Sequence, residues 1–283
     1  MTDGDLIRYA RASWPDGSSA EQDLLARQMT LIVAVDDALE RAPPLSTPDD
    51  EFRTFLPWHP SQTSRIAQQR APIRAAVRWL DDEIARCEPL QVQPPARSAA
   101  AGWWRLQAEA LVSAAWQEAL WRNEPPPDEA SYLAVAQDSI GVGWLAATLV
   151  RLAGRPRAPA ADARVLDAIR AVALAVRAAN DLHDTARERG EGKVQLLFLR
   201  ARGLEQAGLS PTDAERCARA QLGLELAQRV AYARALLDPS GWTDSGRLCA
   251  GLLGMLDSAS ELYGTTNGSS PSRVFDRVFD EVQ

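Results

Sequence analysis

Six side chains in two short stretches carry the oxygen donors from which chemistry could be built. The first stretch is Leu31-Ile32-Val33-Ala34-Val35, followed by Asp36, Asp37 and Glu40. Asp36 and Glu40 are four residues apart and share one helical face, with Asp37 about 100° round it. The apolar run before them has no polar side, which predicts a buried segment that ends in carboxylates. Such carboxylates are costly unless cations or hydrogen bonds neutralise them. Taken alone, the motif also reads as a solvated helix end paired with Arg41. The second stretch has the same design: an apolar run from Ala171 leads into Asn180, with Asp184 and Glu188 at i+4 and i+8. On one helix these three point within about 80° of each other and step about 6 Å along the axis. A ladder of hard oxygen donors suits Mg2+ rather than a soft metal. Arg187, Arg189 and Lys193 accompany it, and cations interleaved with a metal site imply an anionic ligand, most simply a phosphate or diphosphate. The alternative is an ordinary ion-paired helix end built from Asp184, Arg187 and Glu188.

The elements that must hold these motifs are helices, because helix formers dominate and β-branched alternation is almost absent. A short helix over about Asp5–Ala12 stops at Pro15-Asp16-Gly17. Ser18 and Glu21 form a capping box for a helix running to about Arg41. Five prolines and no period mark 42–60 as a loop. Further helices are expected over about Ser61–Cys87, Arg97–Arg122, Asp128–Leu152, Ala160–Arg189, Val194–Ala207, Thr212–Leu237 and Thr243–Tyr263. Gly141 and Gly143, inside the most apolar of these, cost about 1 kcal/mol each against alanine and predict a helix break there. No repeat or composition shift divides the chain, so the reading is one all-α domain of about eight to ten helices.

Composition narrows the function classes. The 283 residues can bury a sizeable core. Asp+Glu 38 against Lys+Arg 31 gives a net charge of −7, which argues against nucleic acid as a partner. Cys87, Cys217 and Cys249 are scattered and form no CxxC pair, as expected of buried thiols in a reducing compartment. With only His59 and His183, imidazole chemistry is poorly supplied. The first residues lack a signal-peptide pattern, and the longest apolar run, Ile140 to Val150, is shorter than the ~18 residues a membrane helix needs. A cytoplasmic protein without a membrane anchor is expected. Trp supplies 9 of the 18 aromatic residues, and Lys193 is the only lysine.

Here the motifs meet a family. VDDALE resembles the aspartate-rich DDxxD/E motif of class I terpene synthases. NDLHDTARE resembles their second metal motif, (N/D)Dxx(S/T/D)xxxE, and about 144 residues separate the two. Between them, ALVSAAWQEALWRNEPPPDEASYL is similar to the family's Trp/Glu/Arg-bearing helix, proline turn and helix opening with Tyr-Leu. AANDLHD, AQDSIGVGWL and YGTTNGSS resemble most closely the bacterial labdane-related, kaurene-synthase-like diterpene synthases.

The resemblance implies an all-α isoprenoid synthase bundle over residues 1–283. Within it an allylic diphosphate ionises on three Mg2+ ions. Asp36, with Asp37 or Glu40, would hold two ions, and Asn180, Asp184 and Glu188 the third. Arg187 would touch the diphosphate, with Arg189, Lys193 and Gln137 nearby. The break at Ile140 and Gly141 would aim a carbonyl at the developing cation. An apolar, aromatic cavity must keep that cation from water, and Trp faces can stabilise it. Trp103, Trp104, Trp116, Trp121 and Trp144 lie on helices that would line such a cavity, although core packing is the plainer reading of any one of them. Trp144 is the expected lining residue, with Trp103 and Tyr263 also facing substrate. The expected substrate is a copalyl-type (labdane) diphosphate, converted to a diterpene hydrocarbon or alcohol. Direct cyclisation of geranylgeranyl diphosphate is the nearest alternative, and an inactive helical-bundle partner protein is the alternative from another class. Expected partners are the isoprenoid diphosphate, an upstream class II cyclase and a second copy of the chain in a homodimer.

Two departures from the family pattern shape one expectation. Gln137 stands where the family often has a diphosphate-sensing arginine, and Ser269 and Ser270 stand where an Arg-Tyr pair is usual. The amphipathic SRVFDRVFDEV then reads as a capping tail over 265–283, with Arg273 or Arg277 replacing the lost arginine. Deleting that tail, or Arg273→Ala, is expected to lower turnover at least tenfold in a product assay; undiminished turnover would remove the tail from the site.

Overall fold

The capping box at the start of the aspartate-rich helix is present. The Ser18 N–H donates to Glu21 Oε2 at 2.7 Å, and the Glu21 N–H donates back to Ser18 Oγ at 3.3 Å. The computed structural model describes residues 3–41, 55–56, 70–89, 92–122, 127–154, 162–183, 185–242 and 245–264. Within helices, the side chains of residues 3, 40, 41, 186, 187, 260 and 262–264 fall outside that description. The helices are α1 (Asp3–Ser13), α2 (Ser19–Arg41), α3 (Ala71–Cys87), α4 (Pro94–Leu120), α5 (Glu129–Ser139), α6 (Val142–Ala153), α7 (Ala163–His183), α8 (Thr185–Gly190), α9 (Leu196–Gln206), α10 (Pro211–Leu236) and α11 (Gly246–Gly264). Among the described residues there is no strand.

The break predicted at Gly141 is present and parts α5 from α6. Three sequence expectations change. The single helix expected over about Ala160–Arg189 is two, α7 ending at His183 and α8 starting at Thr185. Helix α4 starts at Pro94 rather than Arg97, because a proline in the first turn gives up only an N–H that has no intrahelical partner. Val33 is 39% exposed although its segment reads as buried all round. Helix α2 packs on α1, α3, α4 and α6 and turns Val33 away from them. The expected tail, 265–283, lies outside the described residues, as do 42–54 and 57–69.

Helix α6 is the centre. Every residue from Val142 to Leu152 is buried, and α2, α3, α4, α7 and α11 all pack on it. That position explains its composition. Glu129–Ala153 is long and apolar enough to cross a membrane, yet the stretch is broken at Gly141 and its second half is sheathed by helices. Most polar groups that meet α6 are therefore paired inside the bundle, the buried Trp144 indole N–H being an exception. At the far end the buried Arg151 guanidinium pairs with Asp81 at 2.6 Å and with Glu88, and lies 5.5 Å over the Trp104 ring.

Nearer the break, a buried chain of hydrogen bonds sets the register of α2 on α6. Gln28 Nε2 donates to the Trp144 carbonyl at 3.0 Å, and its Oε1 accepts from Thr148 Oγ1 at 2.6 Å. Thr148 accepts in turn from the Trp104 indole at 2.8 Å. Gln28, Ile32 and Asp36 follow each other at four-residue steps, so they lie on one side of α2. Anchoring Gln28 thus decides where Ile32 and Asp36 stand. Replacing Gln28 by leucine removes the best acceptor of the Thr148 hydroxyl and the side-chain donor to the Trp144 carbonyl. The expected loss of stability is about 1–3 kcal/mol, read as a lower urea midpoint with an unchanged m-value.

Candidate active site

The break between α5 and α6 brings the first motif to the core. Gly141 has φ 79°, a left-handed conformation that side chains resist. A Cβ there would stand 2.7 Å from Ile32 Cδ1, so the bare glycine lets Ile32 pack directly on the turn. Asp36 is one turn further along α2. Gly143 plays a similar part for α4, since a Cβ on it would collide with the Gln107 carboxamide oxygen. The bend expected at Ile140 and Gly141 is thus present, and it lies against the helix that carries the aspartates.

The second motif comes to the same place from α7 and α8. Lys193 Nζ lies 3.8 Å from Asp36 Oδ2 and 3.5 Å from Glu191, while its backbone N–H donates to the Glu188 carbonyl at 3.0 Å. One cation therefore joins two motifs that are far apart in sequence. Glu188 is buried and accepts a hydrogen bond from Gln195 Nε2. Burial pushes the Glu188 carboxyl above its ordinary value, with Lys193 and Arg177 pulling the other way. Asp36, Asp37 and Asn180 are half-buried. Asp184 and the side chains of Glu40 and Arg187 lie outside the described residues, as does that of Tyr263 on α11.

The other residues expected to contact substrate have partners within the protein. Arg189 is exposed, pairs with Glu215 at 2.8 Å and stacks 4.7 Å over Phe198. Gln137 donates to the Ala134 carbonyl of its own helix at 3.1 Å. Trp144 is 2% exposed and packs in the core, its ring centroid 5.2 Å from that of Trp104. Trp103 is buried in the same cluster.

Among the described residues, no three His, Cys, Asp or Glu side chains gather into a metal cage. Mg2+ does not require one, because it keeps waters and takes one or two carboxylates together with substrate phosphates. The half-buried oxygens of Asp36, Asp37 and Asn180, the buried carboxylate of Glu188 and a lysine between the motifs fit that pattern.

Beneath this mouth lies a cluster that sequence reasoning passed over. Asp181, fully buried next to Asn180, accepts from the Tyr132 hydroxyl at 2.8 Å and from the Leu196 N–H at 3.1 Å. It also pairs with Arg177 Nε at 2.8 Å. Arg177 donates to Tyr132 as well, at 2.8 Å, and lies 3.3 Å from Glu118. Glu118 accepts from Ser139 Oγ at 2.6 Å, at the last residue before the break. Burial opposes the charge on Arg177, but Asp181 and Glu118 outweigh it and hold the guanidinium well above the ordinary arginine range. Burial pushes the Asp181 carboxyl up against the pull of that arginine. At the end of α7, Arg219 donates to the Leu182 carbonyl and to Thr185 Oγ1, a cation where a helix C-terminus favours one. An arginine inside the apolar run Val172–Ala179 was the signal available for this cluster.

The sequence profile of terpene synthase family 2, C-terminal metal binding, matches residues 27–223. The chain belongs to the terpene synthase family. The matched span includes both carboxylate motifs and the break between them. A search of curated protein sequences returned no match. Among solved structures, this terpene synthase is similar to 2-methylisoborneol synthase from Streptomyces coelicolor A3(2), in complex with Mg2+ and 2-fluoroneryl diphosphate. The identity is 19% over 95% of this chain and 84% of that one, with a TM-score of 0.68. It is also similar to linalool/nerolidol synthase from Streptomyces clavuligerus, in complex with 2-fluorogeranyl diphosphate. There the identity is 17% over 92% and 86% of the two chains, with a TM-score of 0.66. Cucumene synthase gives 18% over 91% and 85%, with a TM-score of 0.63. These likenesses establish the all-α class I terpene synthase fold.

The geometry of the break makes a direct prediction. Gly141→Ala forces a side chain into a left-handed backbone, costing about 1–2 kcal/mol, and drives it against Ile32. Lower stability and at least tenfold lower turnover are expected. Adding Ile32→Ala removes the collision and is expected to restore part of the stability in a denaturant titration, leaving the backbone cost in place.

Proposed function

We propose that this terpene synthase ionises a copalyl-type (labdane) diphosphate with Mg2+ and turns the resulting carbocation into a diterpene hydrocarbon or alcohol. The observation that carries the ionisation is the meeting of the two carboxylate motifs across Lys193 and Asp36, at the foot of the Gly141 break. Asp36, Asp37 and Glu40 would hold metal from one side and Asn180, Asp184 and Glu188 from the other. Bound Mg2+ supplies Lewis-acid stabilisation of the departing diphosphate. The chain's own cations would do the rest of the charge neutralisation, with Lys193 already against Asp36 and Arg187 and Arg189 carried on α8. Ile140 and Gly141 would present backbone oxygen to the cation, and the Trp-rich helices keep water away. A buried Glu188, held by Gln195, argues against an inactive partner protein, which gains nothing from a desolvated carboxylate.

The bicyclic substrate rests on the sequence likenesses at AANDLHD, AQDSIGVGWL and YGTTNGSS, and on Gln137 standing where related cyclases carry arginine. It implies a class II cyclase upstream in the same pathway. A second reading, direct cyclisation of an acyclic prenyl diphosphate, is favoured by the geranyl- and neryl-type analogues held by the structural neighbours. Gel filtration with light scattering would test the homodimer.

Incubation with geranyl, farnesyl and geranylgeranyl diphosphates and each copalyl diphosphate stereoisomer, followed by product identification, separates these readings. Turnover is expected to vanish in EDTA and return with Mg2+. Asp36→Ala and Asn180→Ala are each expected to lower turnover by 10²-fold or more. Activity surviving both substitutions would refute the metal assignment.

A further inference from the structure

We propose that Ser139, Glu118, Arg177, Tyr132 and Asp181 form one relay, buried over its inner three members, that positions the helix break relative to the second metal motif, and so governs which product the cation yields. The inference rests on the reading of the site given above. Its starting point is that the relay's two ends abut functional backbone. Ser139 is the residue before Ile140-Gly141, and its hydroxyl donates to Glu118 at 2.6 Å. Asp181 is the residue after Asn180, and it accepts the Leu196 N–H, which fixes the start of α9 just beyond Lys193 and Gln195.

The links between those ends are short, half-buried at Ser139 and Glu118 and buried at Arg177, Tyr132 and Asp181. Arg177 bridges Glu118 at 3.3 Å and Asp181 at 2.8 Å, and the Tyr132 hydroxyl closes the circuit by accepting from Arg177 and donating to Asp181. Tyr132 and Asp181 have no exposed surface. Neither Glu118 nor Asp181 can shift without leaving the other carboxylate to balance Arg177 alone, and in a low-dielectric interior that is costly. The relay therefore behaves as a rigid strut between α4, α5, α7 and α9. None of its members is assigned to metal or diphosphate, so they are positioning residues. A cyclisation that is decided by where a carbonyl stands relative to an ionising diphosphate is sensitive to displacements well under 1 Å.

Ser139→Ala and Tyr132→Phe cut the relay at two places with little change of shape. The test uses the full chain and the prenyl diphosphate that the wild type converts in the panel above. Each variant is expected to keep KM within about twofold, lose about tenfold in kcat and change the ratio of products. The double variant is expected to be no worse than the more damaged single one, because a strut cut twice is still one cut strut. Thermal stabilisation by Mg2+ with inorganic pyrophosphate supplies a readout apart from turnover. It should be retained in Ser139→Ala, at the break end, and reduced in Tyr132→Phe, beside Asp181. Should Tyr132→Phe fail to fold, Glu118→Gln takes its place, since it keeps an acceptor for Ser139 and removes the charge facing Arg177. Multiplicative losses in kcat, or an unchanged product ratio, would overturn the relay. A wild-type chain that converts no diphosphate and gains nothing from Mg2+ with pyrophosphate would instead overturn the proposed function.

Discussion

Helix α6 is buried from Val142 to Leu152, and that constraint organises the neighbours that pack on it. A helix without a solvent face can satisfy a polar intruder only with another buried group. Gln28, Thr148 and Trp104 therefore form a closed chain on it, and Arg151 is met by two carboxylates. The same burial makes the glycine at its head consequential. Ile32 fills the space that a side chain at 141 would take, so the position of α2, and of Asp36 one turn on, is read off the core rather than off the surface. The placement of Asp36 is in this sense a by-product of packing further in.

The electrostatics follow a similar logic at two depths. At the mouth, half-buried carboxylates face Lys193, a pattern that exchanges readily with solvent ions and suits a site where metal and diphosphate come and go. One layer down, Arg177 is locked between Glu118 and Asp181 with Tyr132 over it, and the guanidinium stays charged because its partners cannot leave. The shallow cation stands between the two motifs. The deep one ties α4, α5 and α7 together.

Much of the fold was legible in the residues. The capping box at Ser18 and Glu21, the all-helical class and the break at Gly141 rest on local chemistry, namely propensity, hydrogen bonding within a turn and the freedom of glycine at positive φ. The apolar run at 140–150 was read as the longest in the chain, and it proved to be the buried central helix for the same reason that it is apolar. Asp36 and the Asn180–Glu188 stretch read as metal-type motifs because hard oxygen donors recur at helical spacing. Val33 went astray because a run of apolar residues says nothing about how many helices will surround it. Trp144, expected to line a cavity, packs near Trp104 in the core, since bulk serves packing as well as it serves a cation.

Sequence alone thus determined the parts whose cause lies within a few residues: helices, their caps, the glycine hinge, and two oxygen-rich stretches about 144 residues apart. It could not say that Lys193 reaches Asp36, that Ile32 seats on Gly141, or that Asp181 points inward while its neighbour Asn180 stands half-exposed. Those relations join residues distant along the chain, and they exist only once α2, α5 and α7 have been pressed around α6 and α9 against α5 and α7. Periodicity assigns a residue to a face of its own helix. Which other face it will meet is settled by close packing of the whole bundle.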